Sequence, residues 1–161
     1  MQSAVTASPE SVAGRETSSG RNRVLFILIG LLSLAGVIVS AVSLQRHYAR
    51  SATKFCDFSQ QFSCDIVNRS EYSSIAGIPV AAIGVAGYAA LFLLSTFWKS
   101  RAETPIRLMA ASIAGLAFAL YLTYIEARVL ETWCILCVCS LVLISLITSF
   151  AVAVKVREST L

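Results

Sequence analysis

Charged residues interrupt this chain unevenly. Residues 24–44, 75–98, 108–125 and 132–154 contain no Asp, Glu, Lys or Arg, giving uninterrupted stretches of 21, 24, 18 and 23 residues. Each falls within the roughly 17–25 residues that a helix needs to cross about 30 Å of hydrocarbon. Helices are the expected form, because backbone groups in lipid must be satisfied within their own segment. The pattern predicts an all-α integral membrane protein, a four-transmembrane-helix bundle with a large outer loop between spans 1 and 2.

Composition agrees with that reading. Hydrophobic residues make up 57% of the 161 and charged residues only 14%, where a soluble domain carries about 25% charged; the mean hydropathy is +0.75. The first apolar stretch is too long for a signal-peptide core, and no small-residue cleavage pattern follows it before Gln45-Arg46, so it is expected to be retained. Residues 1–23, rich in Ser, Thr, Gly and Arg, are expected to be a disordered tail. Residues 24–154 then form one membrane domain and 155–161 a short C-terminal tail.

With four spans, the N-terminal tail, the 99–107 connection and the C-terminus share one side. That side holds eight cations (Arg15, Arg21, Arg23, Lys99, Arg101, Arg107, Lys155, Arg157), against five on the other (Arg46, Arg50, Lys54, Arg69, Arg128). The positive-inside rule places both termini in the cytoplasm.

On this topology the cysteines gather at the outer face. Cys56 and Cys64 lie in the long loop, and Cys134 and Cys137 form a C-x-x-C where the fourth span begins. Disulfides persist on that side of a membrane. Three residues apart on a helix, Cys134 and Cys137 share a face, and a helix N-terminus favours the thiolate that performs disulfide exchange. A C-x-x-C alone also fits metal sites; the four cysteines could supply a zinc ligand set, and the loop pair could be a structural staple. No His follows Cys137, so haem attachment is not indicated. Both pairs on one face favour an electron relay without metal. Cys139 lies about 200° around the helix from Cys137 and is expected to be a packing residue.

The order of these features is similar to the vitamin K epoxide reductase family, in its stand-alone bacterial form. After a first span comes Cys56-x7-Cys64, then Val67 and Ser70; a second span opens Gly77-Ile78-Pro79 and continues Gly84-x-x-x-Tyr88; the C-x-x-C begins the fourth. The other four-helix disulfide-generating membrane family carries its C-x-x-C before its second cysteine pair, the reverse of the order here. The resemblance covers roughly residues 24–154. It implies a thiol oxidoreductase of the bacterial inner membrane. In that relay Cys137 faces a quinone (menaquinone or ubiquinone), Cys134 is its partner and exchanges with Cys64, and Cys56 pairs with Cys64. Cys56 also meets a separate thioredoxin-fold oxidant of secreted proteins. Ser70 would help hold the loop near the active site.

Two departures bear on substrate. Vertebrate members carry a vitamin-binding Asn in the second span and a Tyr one turn past the C-x-x-C; by spacing those positions are Val80 and Leu141 here. This favours an ordinary membrane quinone over vitamin K epoxide. Ser70, Val80, Gly84, Tyr88 and Leu141 are the candidate quinone-binding or loop-positioning residues. Gly84, Gly87 and the Ala-rich 110–119 stretch suit close helix contacts or space for a ring. No phosphate loop or nucleotide fingerprint appears, and no nucleic-acid partner is expected. The competing readings are a vitamin K epoxide or quinone reductase using thiol donors, and a non-enzymatic membrane scaffold with structural cysteines. Among other residues, His47 is expected to be an interfacial anchor, Glu126 and Arg128 an interfacial pair, Asn68-Arg69-Ser70 an idle glycosylation sequon, and 72–78 a short amphipathic lid.

Overall fold

The computed structural model describes residues 9–48, 57–59, 62–97 and 103–159, and structural statements below refer to these. Helix α1 runs from Pro9 to Tyr48 without a break. Proline suits a first helical position, where its missing N–H costs nothing. The expectation of a disordered tail over 1–23 therefore gives way to helix from Pro9 onward, while residues 1–8 lie outside the described residues. Once residues 24–44 are helical, each further residue adds a hydrogen bond without a new nucleation penalty.

The second apolar stretch divides. Strands β3 (Ser74–Ile75) and β4 (Ile78–Pro79) form an antiparallel hairpin, and helix α3 spans only Val80–Thr96. The turn residues Ala76 (φ 52°) and Gly77 (φ 81°) are both left-handed, as a two-residue hairpin loop requires. The 17 residues of α3 reach about 26 Å at 1.5 Å per residue. Three stretches are long and apolar enough to cross a membrane: Asn22–Tyr48, Thr104–Leu130 and Ile135–Arg157; α3 is a shorter apolar helix. The lack of charge in 75–98 could not separate hairpin from helix. The 72–78 segment, expected to be a short amphipathic lid, is a 3-10 turn (Glu71–Ser73) followed by the hairpin.

Helix α4 (Thr104–Ile125) carries Pro105 in its first turn and the Glu103–Arg107 ion pair at its start. It leads into a π-helical turn, Glu126–Leu130, ended by Glu131 in the left-handed region (φ 48°). Helix α5 follows at Ile135–Ser159, so the expected C-terminal tail is helical through Ser159. In the long connection, strands β1 (Asp57–Ser59) and β2 (Phe62–Ser63) pair and lead into the short helix α2, Cys64–Arg69.

The long helices pack as a bundle in which α1 contacts α3 and α5, α4 contacts α5, and the α3–α4 contact is sparse. Phe26, Ile29, Leu91, Leu108, Ile147 and Val154 lie in its core. Small polar residues fill the tight contacts: Ser33, Ser40, Ser95 and Ser112 are buried, and Thr148 Oγ1 donates to the Ser112 carbonyl (3.1 Å) as well as to that of Ile144 (2.8 Å). Leu31, Ile38, Leu120 and Val142 are more than half exposed on the outside. Small residues within and large apolar ones without suit a bundle in lipid.

Candidate functional site

The cysteine chemistry collects at one end of the bundle, where α1 finishes, α2 docks and α5 starts. Helix α2 is six residues long and begins under the Ser63 hydroxyl, which accepts from Ile66 N–H (3.3 Å). Its Cys64, Val67 and Asn68 are buried, the i, i+3, i+4 positions of one face. That face meets Cys134: Cys64, Val67 and Cys134 form one buried cluster, with Leu130, Leu136 and Cys137 packed against it. Cys64 and Cys134 are both fully buried.

Asn68 closes this contact. Its Nδ2 donates to the Cys64 carbonyl (2.9 Å) and lies 4.0 Å from Cys134 Sγ. With 7% exposure it is no site for a glycan. The carbonyl of Asn68 lies 2.6 Å from His47 Nδ1; a carbonyl can only accept, so Nδ1 carries the proton. The end of α1 thereby holds the loop helix. His47 also approaches Ser73 Oγ (3.4 Å), which replaces the expected interfacial anchor with an inward tether. Ser70 and Ser73 fix the next turn by donating to the Val67 (2.8 Å) and Ser70 (2.7 Å) carbonyls.

Cys64 is disulfide-bonded, whereas Cys134, Cys137 and Cys139 are free thiols. Cys56 lies outside the described residues. A disulfide sulfur has no lone thiolate to offer a metal, and among the described residues no group of three or more His, Cys, Asp and Glu is placed to hold one. Cys139 is exposed on the outer surface of α5 rather than packed, because two residues beyond Cys137 the helix has turned its face outward.

Cys134 precedes α5 and its carbonyl accepts from Val138 N–H (3.0 Å), which makes it the N-cap. The Cys137 thiol donates to it and holds Cys134 below the ordinary thiol value; burial and the nearby Glu126 charge oppose the shift without overcoming it. Glu126, expected to pair with Arg128 at the interface, is instead turned inward. It is 2% exposed, its Oε2 accepts from Cys134 N–H (3.2 Å), and it shares a cavity wall with Cys137, while Arg128 is exposed. The π-helical turn aims it there.

Cys137 faces a second space. A cavity of about 260 Å³ lies between α1, α3, α4 and α5 and is roofed by the loop; Cys137 lines it and Cys134 does not. Ser70, Val80, Gly84 and Tyr88 are on its wall, together with His47, Tyr72, Ser73 and Glu126; Leu141 is not among the lining residues. Tyr88 is held by two contacts to α5, its hydroxyl reaching the Ser140 carbonyl (2.8 Å) and Oγ (2.9 Å). Its ring lies so close to α1 that a Cβ on Gly36 would collide with it. Gly84 packs on α1, where a Cβ would meet Ser40 Oγ at 2.8 Å, but Gly87 has nothing within 4 Å of such an atom. The lining residues Ile83, Gly87 and Ala90 of α3 and Ala111 of α4 are exposed, so the cavity opens sideways where α3 and α4 barely touch.

Three residues of this site were not assigned to it by sequence reasoning: Asn68, His47 and Glu126. Asn68 was legible as a helix-face neighbour of Cys64, at i+4. Glu126 borders an apolar stretch and was expected to pair with Arg128 at the interface, and nothing local signals its inward turn.

The model of the Vitamin K epoxide reductase family matches residues 27–153. The match runs from within α1 through α3 and α4 into α5, and the chain belongs to this family of membrane thiol-disulfide and quinone oxidoreductases.

Proposed function

From that membership we propose that this enzyme makes disulfides for a separate thioredoxin-fold partner on the outer side of a bacterial inner membrane and delivers the electrons to a membrane quinone. In this reading α3 completes a four-span bundle, both termini are cytoplasmic, and the loop and C-x-x-C face outward. The observation that carries it is the division of labour within the C-x-x-C. Cys134 is buried against Cys64 of the loop helix, and Cys137 lines the cavity. One thiol is thus next to the loop disulfide and the other next to the space for an acceptor.

Electrons from the partner's thiols would pass through Cys56 and Cys64 to a Cys134–Cys137 disulfide. Cys64 thiolate attacks Cys134, and Cys137 leaves as a thiolate and takes up a proton; Cys56 thiolate then attacks Cys64 of the resulting Cys64–Cys134 bond, closing the loop disulfide and releasing Cys134. Cys134 is already biased toward its thiolate by the Cys137 thiol, which suits it to exchange. A quinone in the cavity would accept two electrons and two protons from the Cys134–Cys137 dithiol. The cavity suits its ring: it is somewhat smaller than the 300–1,000 Å³ clefts of drug-sized ligands, it is mostly apolar, and it opens on the side that lipid would cover. Val80 offers no donor to an epoxide oxygen, which supports a plain quinone as acceptor.

The test is quinone reduction by the full chain in lipid nanodiscs, with dithiothreitol as donor and short-tailed ubiquinone and menaquinone as acceptors. Turnover that disappears in Cys137→Ala and in Cys134→Ala supports the relay. Turnover that survives either substitution refutes it, and reduction of vitamin K epoxide in preference to both quinones would make the chain an epoxide reductase instead.

A further inference from the structure

Oxidation of the C-x-x-C requires that two thiol protons reach the acceptor. The balanced reaction takes Cys134–SH, Cys137–SH and a quinone to a Cys134–Cys137 disulfide and a hydroquinone, so two electrons and two protons cross the cavity wall. Cys137 must lose its S–H proton to become the nucleophile, in a place shielded from water. Two groups stand near enough to take that proton: Cys134, in the same turn, and the Glu126 carboxylate, which accepts from Cys134 N–H and lines the same cavity as Cys137.

We propose that Glu126 is the proton carrier of this site, taking the Cys137 thiol proton onto its carboxylate and giving it up to the reduced acceptor in the cavity. The inference rests on the quinone-reducing function argued above. Geometry places Glu126 for the task. It lines the same cavity as Cys137, so a proton on its carboxylate has a route to the acceptor. Its Oε2 is anchored by Cys134 N–H, which holds it beside the C-x-x-C. No ion pair to it is found among the described residues; a permanent cation partner would have held it as a carboxylate. The titratable groups facing it are Cys134 and Cys137 from the start of α5, with His47, Tyr72 and Tyr88 on the opposite cavity walls. The carboxylate is regenerated at the end of each turn, and the proton removed from Cys137 leaves on the hydroquinone. The second proton comes from Cys134 when the disulfide closes.

The role separates from a structural one by shape against charge. Glu126→Gln keeps the side-chain length and an oxygen to accept from Cys134 N–H, but cannot carry a proton. Glu126→Asp keeps the carboxylate and loses reach. A proton carrier predicts that Gln reduces ubiquinone about 10²–10⁴-fold more slowly than the intact chain and that Asp retains more activity than Gln. A purely structural residue predicts the reverse order. The second readout needs no quinone. In a Cys134→Ala, Cys139→Ser background, alkylation of Cys137 by iodoacetamide is followed across pH by mass spectrometry. With Glu126 present the rate should rise only until the carboxylate is ionised and then level off, because the thiol gives its proton to the carboxylate. With Gln it should climb in proportion to hydroxide. Parallel pH profiles, or equal quinone rates for Gln and the intact chain, overturn the proposal. An intact chain that reduces no quinone overturns instead the function on which it rests.

Discussion

Two regions meet at the C-x-x-C, three residues apart in sequence and opposite in character. Around Cys134 the protein is closed: Cys64, Val67 and Leu130 pack against the thiol and Asn68 caps it. Around Cys137 it is open, with Gly87 leaving unfilled space and α3 standing apart from α4. The closed side is built from helix faces packed together, whereas on the open side Gly and Ala leave room between larger apolar walls. A closed thiol is protected from solvent and exchanges only with what the loop brings; an open one meets a small apolar molecule arriving from the bilayer. The difference teaches that a single helical turn can serve two substrates if one of its faces is sealed.

The open side depends on a wedge, and removing the room for that wedge should have the largest effect. A methyl on Gly36 would overlap the Tyr88 ring, and its backbone anchorage leaves the ring to move. Gly36→Ala is expected to destabilise the bundle by about 1–3 kcal/mol through overpacking. It should also push Tyr88 off Ser140 into the cavity. The midpoint of thermal unfolding in detergent, with quinone affinity measured alongside, checks both. An unchanged midpoint would mean that α1 and α3 do not approach as closely as described.

Filling the opening should act on binding and spare the fold. Gly87 has no neighbour within 4 Å of an added Cβ, so Gly87→Leu has space at the outset and extends into the cavity mouth. A KM for quinone about tenfold higher is expected, equivalent to about 1.4 kcal/mol, with little change in thermal midpoint. If kcat falls and KM does not, the mouth of the cavity lies elsewhere.

This contrast also marks what the chain's pattern could convey. The four charge-free stretches located the long helices, since apolar length is a property of each segment alone. The C-x-x-C and the loop cysteines were equally visible, because reactive residue types announce themselves wherever they fold. Hidden were properties that depend on what lies opposite. The 75–98 stretch reads as one apolar run, yet the hairpin turn at Ala76-Gly77 shortens its helix to 17 residues. Gly84 and Gly87 look alike in sequence; one touches Ser40 and the other faces empty space. Glu126 ends an apolar run as any interfacial acid would, and the π-helical turn sends it inward.

A smaller change tests how firmly the wedge is seated. The Tyr88 hydroxyl contacts Ser140 twice on the cavity wall. Tyr88→Phe keeps the ring against Gly36 and removes only those contacts. Hydrogen bonds between membrane helices average about 0.6 kcal/mol, so unfolding measurements should show a loss of that order. A loss above about 2 kcal/mol would mean that the hydroxyl, rather than the ring, holds α3 to α5.

The closed side is tested by pH. Cys134 is held below the ordinary thiol value chiefly by the hydrogen bond from Cys137. A group whose folded value is depressed favours the folded state once pH exceeds its unfolded value, and the benefit is lost as pH falls through the folded value. Stability of the reduced protein should therefore rise with pH between the depressed Cys134 value and that of a free thiol. Cys137→Ala removes the donor while leaving burial and the Glu126 charge, both of which raise the value. The ultraviolet thiolate absorbance of Cys134 should then appear only at higher pH, and the rise in thermal midpoint across that window should flatten. If the titration does not move, the two regions are electrically independent, and the bias of Cys134 toward exchange must come from the start of α5 alone.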